Sequence, residues 1–258
     1  MTGLGQNIYL ASDFHLGVPN YEESLKREKK IIEWLNSIQS DAKVIFLVGD
    51  VWDFWFEYKT AIPKGSVRLL GKLAELTDSG IEIHFFKGNH DMWTFGYLKE
   101  ELGIKVHSEP QKFIFFDKTY LIGHGDGLGP GDLKYKMLKL LFRSSICQWL
   151  LARVHPNITL GIGNYFSRKS RLANSEGDKV FLKDEEWLYQ FCKDYKEPID
   201  YFIFGHRHLP LEMNIEGKSS IYFNLGEWIN YFSFMEIKPN TNPQLKFYKS
   251  KYKTPVNL

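Results

Sequence analysis

Cysteine is scarce in this chain of 258 residues. There are two, Cys147 and Cys192, and they form no Cys-x-x-Cys pair. A disulfide framework and a thiolate metal site are therefore not expected, and a reducing compartment fits better. Long apolar runs are also missing. No stretch reaches the ~18 uninterrupted apolar residues of a membrane span. The richest one, Val44 to Phe56, is broken by Asp50 and Asp53. Met1 to Asn7 has neither the basic nor the apolar region of a secretory leader. These absences make a cytoplasmic protein the expectation. Internal repeats and low-complexity linkers are absent too, so a single domain over residues 1–258 is expected rather than several small ones.

Charge of one sign is nearly cancelled, with 33 Lys and Arg against 31 Asp and Glu. The balance is uneven along the chain. Between Asp132 and Arg171 there are eight basic residues and one acid. Such a block suits an anionic partner: a phosphate, a nucleic acid or a lipid headgroup. Aromatic residues are plentiful, with 20 Phe and 14 Tyr. They either fill the core or line an apolar site.

Asn7–Ser12, Val44–Val48 and Ile81–Phe86 read as strands, and Glu22–Ile38 and Val67–Leu76 as helices. Val44–Val48 is continuously apolar, as a strand buried on both faces requires. Lys112–Phe116 and Thr119–Ile122 read as paired strands joined at Asp117–Lys118. The pattern is mostly helical from Leu133 to about Tyr195, and returns to strand at Tyr201–Phe204 and four later segments. This alternation predicts an α/β (α+β) protein, a layered α/β/β/α sandwich. Residues of about 131–196 would form a helical cap inserted in it.

Five strands run into loops that carry the same kinds of residue. These are Asp13 and His15; Asp50 and Asp53; Asn89, His90 and Asp91; His124; and His206 and His208. Ligands in α/β folds bind beyond the carboxyl ends of strands, so the five loops can face one crevice. Carboxylate, imidazole and amide oxygen together suit two divalent ions: Mn²⁺, Fe²⁺, Zn²⁺ or Co²⁺. Two ions sharing a carboxylate sit ~3.5–4 Å apart, which suits in-line displacement at phosphorus by an activated water. A single loop Asp or His is usually a turn former. Five such loops with complementary residues are not. His84, His107 and His155 lack that context and are expected to have no catalytic role.

In order, the loops read DFH, GDVWD, GNHD, GHGD and GHRH. This resembles the calcineurin-like metallophosphoesterase superfamily, whose pattern is DxH, GDxxD, GNH[DE], H and GHxH. The resemblance implies that Asp13, His15 and His208 hold one metal and that Asn89, His124 and His206 hold the other, with Asp50 shared. It implies that His90 meets the phosphoryl group and protonates the leaving oxygen, with Asp53 hydrogen-bonded behind it. Asp91 would stabilise its loop.

Within the superfamily, SDFHLG, GDVWDFW, the HGD loop and the helical insert are most similar to the UDP-2,3-diacylglucosamine diphosphatases of lipid A synthesis. That resemblance implies substrate contacts at Asp132, Tyr135, Arg168, Ser170 and Asn174. It implies release of UMP and 2,3-diacylglucosamine 1-phosphate. Two positions depart from the well-known branch, which has arginine at both His90 and the cap position occupied by Ser167. Leu133–Val154 places Met137, Leu141, Trp149 and Leu150 among Lys and Arg. Such a segment shelters acyl chains and leans on anionic lipid, making the protein peripheral on the inner membrane, or else is an ordinary amphipathic helix on the core. The residues alone leave other functions open: hydrolysis of another phosphodiester, nucleotide or phospholipid, and a non-catalytic binding protein of the same fold. A nuclease would need base-stacking aromatics along a cationic groove, and no nucleic-acid partner is expected.

Overall fold

The computed structural model describes residues 6–130, 133–174 and 180–257, without the side chains of 134, 168 and 170–174. Two sheets stack face to face. The first begins with β1 (Asn7–Ala11), β2 (Ala42–Leu47), β3 (Glu82–Phe86) and β4 (Lys105–His107), all parallel. The long crossovers between these strands carry α1 (Tyr21–Ile38), α2 (Val67–Asp78) and the single turn α3 (Tyr97–Glu100).

The second sheet opens with a hairpin, β5 (Gln111–Phe115) and β6 (Lys118–Gly123). Phe116 and Asp117 turn it, both with positive φ as a tight two-residue turn requires. Three helices follow: α4 (Leu133–Arg143), α5 (Ser145–Leu151) and α6 (Pro156–Asn174). Then come α7 (Trp187–Asp194), β7 (Tyr201–Phe204), β8 (Pro210–Asn214) and β9 (Ile221–Leu225). β10 (Ser233–Ile237) and β11 (Gln244–Phe247) return to the first sheet as antiparallel strands. The sheet orders are β11-β10-β1-β2-β3-β4 and β5-β6-β7-β9-β8.

Strand alternation accounts for the layers. In β2, Val44 and Phe46 face the second sheet, while Ile45 and Leu47 face α1 and α2. Both faces are dry, hence the unbroken apolar run. In β7, Tyr201 and Ile203 point between the sheets, and Phe202 and Phe204 point outward onto Leu188, Tyr189 and Cys192 of α7. The result is the expected α/β/β/α sandwich. Phe46 is fully buried between the sheets, and Phe46→Ala would cost about 3–5 kcal/mol. α1 starts where the Asn20 side chain accepts the Glu23 N–H at 3.0 Å, satisfying one of the free donors of a helix end.

Two features differ from the sequence expectation. β4 was not anticipated, being a three-residue edge strand too short to show a period. α7 belongs to the outer layer over the second sheet, whereas α4, α5 and α6 turn their large apolar side chains to the solvent.

Candidate metal centre

β1, β2 and β3 are parallel in one sheet, and β6 and β7 in the other. The loops after them meet at one edge of the sandwich. The Asp13 N–H donates to the Gly49 carbonyl at 3.0 Å, and the Gly205 N–H to the His124 carbonyl at 3.0 Å. Two glycines let the loops approach this closely. A Cβ on Gly88 would lie 2.1 Å from Asp50 Oδ1, and one on Gly49 would lie 2.4 Å from His124 Nδ1.

Two clusters of donor atoms result. In the first, Asp13 Oδ1 lies 3.6 Å from His15 Nε2 and 3.3 Å from His208 Nε2, and the two ring nitrogens are 3.1 Å apart. Asp50 Oδ2 closes this cluster at 4.0 Å from His15 Nε2. In the second, the same Asp50 Oδ2 lies 3.4 Å from His124 Nε2, which is 3.3 Å from Asn89 Oδ1. His206 belongs to this group with Asp50 and His124. Asp50 is common to both.

The residues fit divalent cations on two independent grounds. Asp13 Oδ1 and Asp50 Oδ2 are buried and accept no hydrogen bond, a costly state for carboxylate oxygens that a bound cation would relieve. The electrostatics agree. Burial alone would push His124 down, but the charges of Asp50 and Asp13 raise it to about 10. The histidines in turn hold Asp13 and Asp50 well below the carboxylate range, against burial. Burial and His124 press His206 down to about 4, leaving a neutral imidazole. Negative potential with inward lone pairs is a cation site.

The surrounding shell fixes the rings. The His124 Nδ1–H donates to the Val48 carbonyl at 2.9 Å, so Nε2 is the nitrogen turned inward. Asp91 accepts the N–H groups of Gly88, Val51 and Asp50 at 2.8, 2.8 and 3.3 Å. Burial and the neighbouring Asp50 raise its pKa. Arg27 of α1 donates to the carbonyls of His15 (2.7 Å) and Val18. Arg207 pairs with the buried Glu186 at 2.8 Å, tying the last loop to the start of α7.

His90 has its Nε2 3.9 Å from Asp50 Oδ2 and its Nδ1 2.8 Å from the backbone carbonyl of Asp53. The contact expected with Asp53 is thus made through its main chain. The Asp53 carboxylate reaches His90 through Ser167, whose Oγ lies 2.6 Å from Asp53 Oδ2 and 3.0 Å from His90 Nδ1. Ser167 comes from α6, so a helix lying between β6 and β7 in the chain enters the site. Gly163, one turn earlier, lets α6 lie on Phe54; a Cβ there would sit 2.2 Å from the ring.

Tyr135 is half-buried and donates to Asp126 Oδ2 at 2.7 Å. Asp126 also meets Lys139 at 2.7 Å. Arg168, Ser170 and Asn174 fall on α6, but their side chains, like the whole of Asp132, lie outside the described residues. His84 and His107 stack on each other within the first sheet, and His155 is exposed at the start of α6.

The profile of the calcineurin-like phosphoesterase family matches residues 7–210, which spans all five loops. The chain belongs to the calcineurin-like phosphoesterases. It is 37% identical over 242 residues to a UDP-2,3-diacylglucosamine hydrolase of Porphyromonas gingivalis, covering 88% of this chain and 92% of that one. It is 23% identical over 234 residues to the protein of that name in Actinobacillus succinogenes, covering 90% and 95%. A phosphoesterase from E. coli overlays with a TM-score of 0.48 at 15% identity, covering 97% of this chain and 96% of that one. With its metal-ligating side chains clustered, this calcineurin-like phosphoesterase is a metal-dependent hydrolase. A non-catalytic binding protein is not its role.

Proposed function

We propose that the protein hydrolyses the pyrophosphate bond of UDP-2,3-diacylglucosamine, giving UMP and 2,3-diacylglucosamine 1-phosphate. The observation that carries this reading is the 37% identity to a hydrolase of that name over nearly the full length of both chains. In it, Asp13, His15, His208 and Asp50 hold one Mn²⁺, and Asp50, Asn89, His124 and His206 hold the second. The ions supply a low-pKa water and charge for the phosphoryl oxygens.

The chain's own residues do the rest. The Asp53 carbonyl can only accept, so His90 keeps its proton on Nδ1 and its Nε2 serves the reacting oxygens. From there the doubly protonated ring delivers its Nε2 proton to the leaving oxygen and is left neutral, its Nδ1 proton still on the Asp53 carbonyl.

The helices α4 to α6 form the cap in this reading. Met137, Leu141, Trp149 and Leu150 are 71%, 56%, 57% and 55% exposed. An ordinary amphipathic helix buries that face, and these do not. Exposed apolar side chains with lysine and arginine between them suit acyl chains and an anionic bilayer surface. No described helix is long and apolar enough to cross a membrane. In this reading the cap rests on the cytoplasmic face of the inner membrane.

The test is a product assay. The Mn²⁺-loaded protein is incubated with UDP-2,3-diacylglucosamine, and UMP and the lipid monophosphate are followed by mass spectrometry. Cleavage absent in Asp50→Ala supports the reading. Turnover of a generic phosphodiester without cleavage of this lipid would discard the substrate and retain the hydrolase.

A further inference from the structure

Two adjoining cavities lie at the seam between the sandwich and α4, beside the metal centre. The larger, ≈ 230 Å³, is lined by Lys87, Gly88, Met92, Lys139 and Arg143 among others. The smaller, ≈ 20 Å³, shares Lys87, Ser108, Asp126 and Lys139 with it and touches His124. His90 lines neither. The space therefore flanks the reacting position rather than containing it.

The cations here are not equivalent. Lys139 is neutralised by Asp126 at 2.7 Å and Arg143 by Glu109 at 2.5 Å. Lys87 pairs with no carboxylate among the described residues. Its half-buried ammonium lies 5.8 Å from the centroid of the Phe95 ring. The acids whose fields reach it are Glu57 and Asp91. Both are committed elsewhere: Glu57 Oε2 accepts the N–H groups of Phe95, Gly96 and Tyr97, and Asp91 those of its own loop. Arg143 adds like charge. An unpaired ammonium so placed costs stability, and a neutral side chain would fill the same space. Its backbone is fixed at the end of β3, where its N–H donates to the His107 carbonyl at 2.9 Å. The charge is pre-positioned and waiting for an anion.

We infer that this seam cavity binds a phosphoryl group other than the one under attack, with Lys87 as its anchor and Lys139 and Arg143 of α4 closing over it. Resting on the function proposed above, this assigns the second phosphoryl of a diphosphate substrate to the junction of core and cap. An anion there touches both parts at once, so binding it also holds α4 down.

Two measurements test the assignment. The first is a ratio of kcat/KM values, for the diphosphate-linked lipid over bis(p-nitrophenyl) phosphate, which has no second phosphoryl. In Lys87→Met the ratio falls about tenfold, the worth of one charge-assisted contact, and Lys87→Arg restores most of it. The melting temperature of each variant checks the fold. An unchanged ratio overturns the substrate assignment. The second is acetylation footprinting of the wild-type protein with and without millimolar inorganic phosphate. Phosphate shields Lys87 and not the exposed Lys64; equal labelling of Lys87 in both conditions overturns the anion site. Shielding with an unchanged ratio would mean that the cavity takes free phosphate only. A wild-type enzyme that ignores the diphosphate lipid sinks the proposed function, and the footprint then decides the cavity by itself.

Discussion

Ser167 Oγ sits 2.6 Å from Asp53 Oδ2 and joins a cap helix to the catalytic loops. The same oxygen is 3.0 Å from His90 Nδ1. Asp53 Oδ1 in turn lies 3.6 Å from His15 Nδ1. In the proposed reaction Ser167 is a positioning residue: it would touch no reacting atom but steady the His90 ring that does. Ser167→Ala is expected to lower kcat about five- to tenfold, the value of one hydrogen bond, with KM little changed. Steady-state kinetics on a generic diester checks this. A change confined to KM would contradict it.

Gly163 controls how closely α6 approaches. Alanine favours a helix by about 1 kcal/mol over glycine, yet its methyl would collide with Phe54. Gly163→Ala is expected to loosen the cap, seen as faster proteolysis within α4 to α6 and a lower kcat. Phe54→Leu in the same chain opens room and should restore much of both. No rescue would place the fault elsewhere.

Metal removal is the plainest case. Asp50 is shared by both clusters, so Asp50→Ala should reduce bound Mn²⁺ below one equivalent and cut activity by at least about a hundredfold. Elemental analysis and kinetics read the two effects separately. Chelation of the wild type should mimic it, with activity regained on adding Mn²⁺.

Acid should weaken the fold through a different pair. The His84 and His107 rings stack with 8° between planes, and Nδ1 of His84 is 2.8 Å from Nε2 of His107. Burial, then the charges of His84 and Lys105, lower His107 to about 4. Burial also lowers His84, against the pull of Glu82. Unfolded, both would protonate near ~6.5. The unfolded chain therefore binds more protons below that value, and what the pair contributes is lost as pH falls toward 4. The gap in melting temperature between wild type and His107→Gln should narrow as pH drops from about 7 to about 4.5. A gap constant with pH would refute the argument.

The outward cap face predicts reversible binding to anionic vesicles at low salt. Trp149→Glu, on exposed α5, should weaken it several-fold in a sedimentation assay without changing cleavage of a soluble diester. Vesicle binding equal to wild type would remove the cap from the contact.

The strands of the core and the five loops were legible because each leaves a local mark. A strand dry on both faces must be apolar throughout, as Val44 to Val48 is. Metal-binding chemistry needs particular side chains directly after strands, as at Asp13 and Asn89. Ser167 left no such mark. A serine in a helix is ordinary, and only its spacing from Gly163 hints at a close face. Lys87 at a strand end is equally unremarked in sequence; its isolation depends on Glu57 and Asp91 being occupied by distant backbone groups. In α4, period shows that Met137 and Leu141 share a face, but not which way that face points. α7 has the same helical signature as the cap, and only its contact with Phe202 and Phe204 assigns it to the core.

Asp13, His15, Asp50, His206 and His208 all hold φ between 46° and 65°. Outside glycine, this left-handed region is entered most readily by Asn, Asp and His. The backbone at these five positions therefore acts as a filter on mutation. A β-branched residue arriving at any of them is rejected by local sterics before its loss as a ligand is felt. The few side chains that pass the filter are themselves oxygen or nitrogen donors. Glycine apart, drift at the centre is thereby channelled toward altered metal preference rather than toward an inert, well-folded descendant.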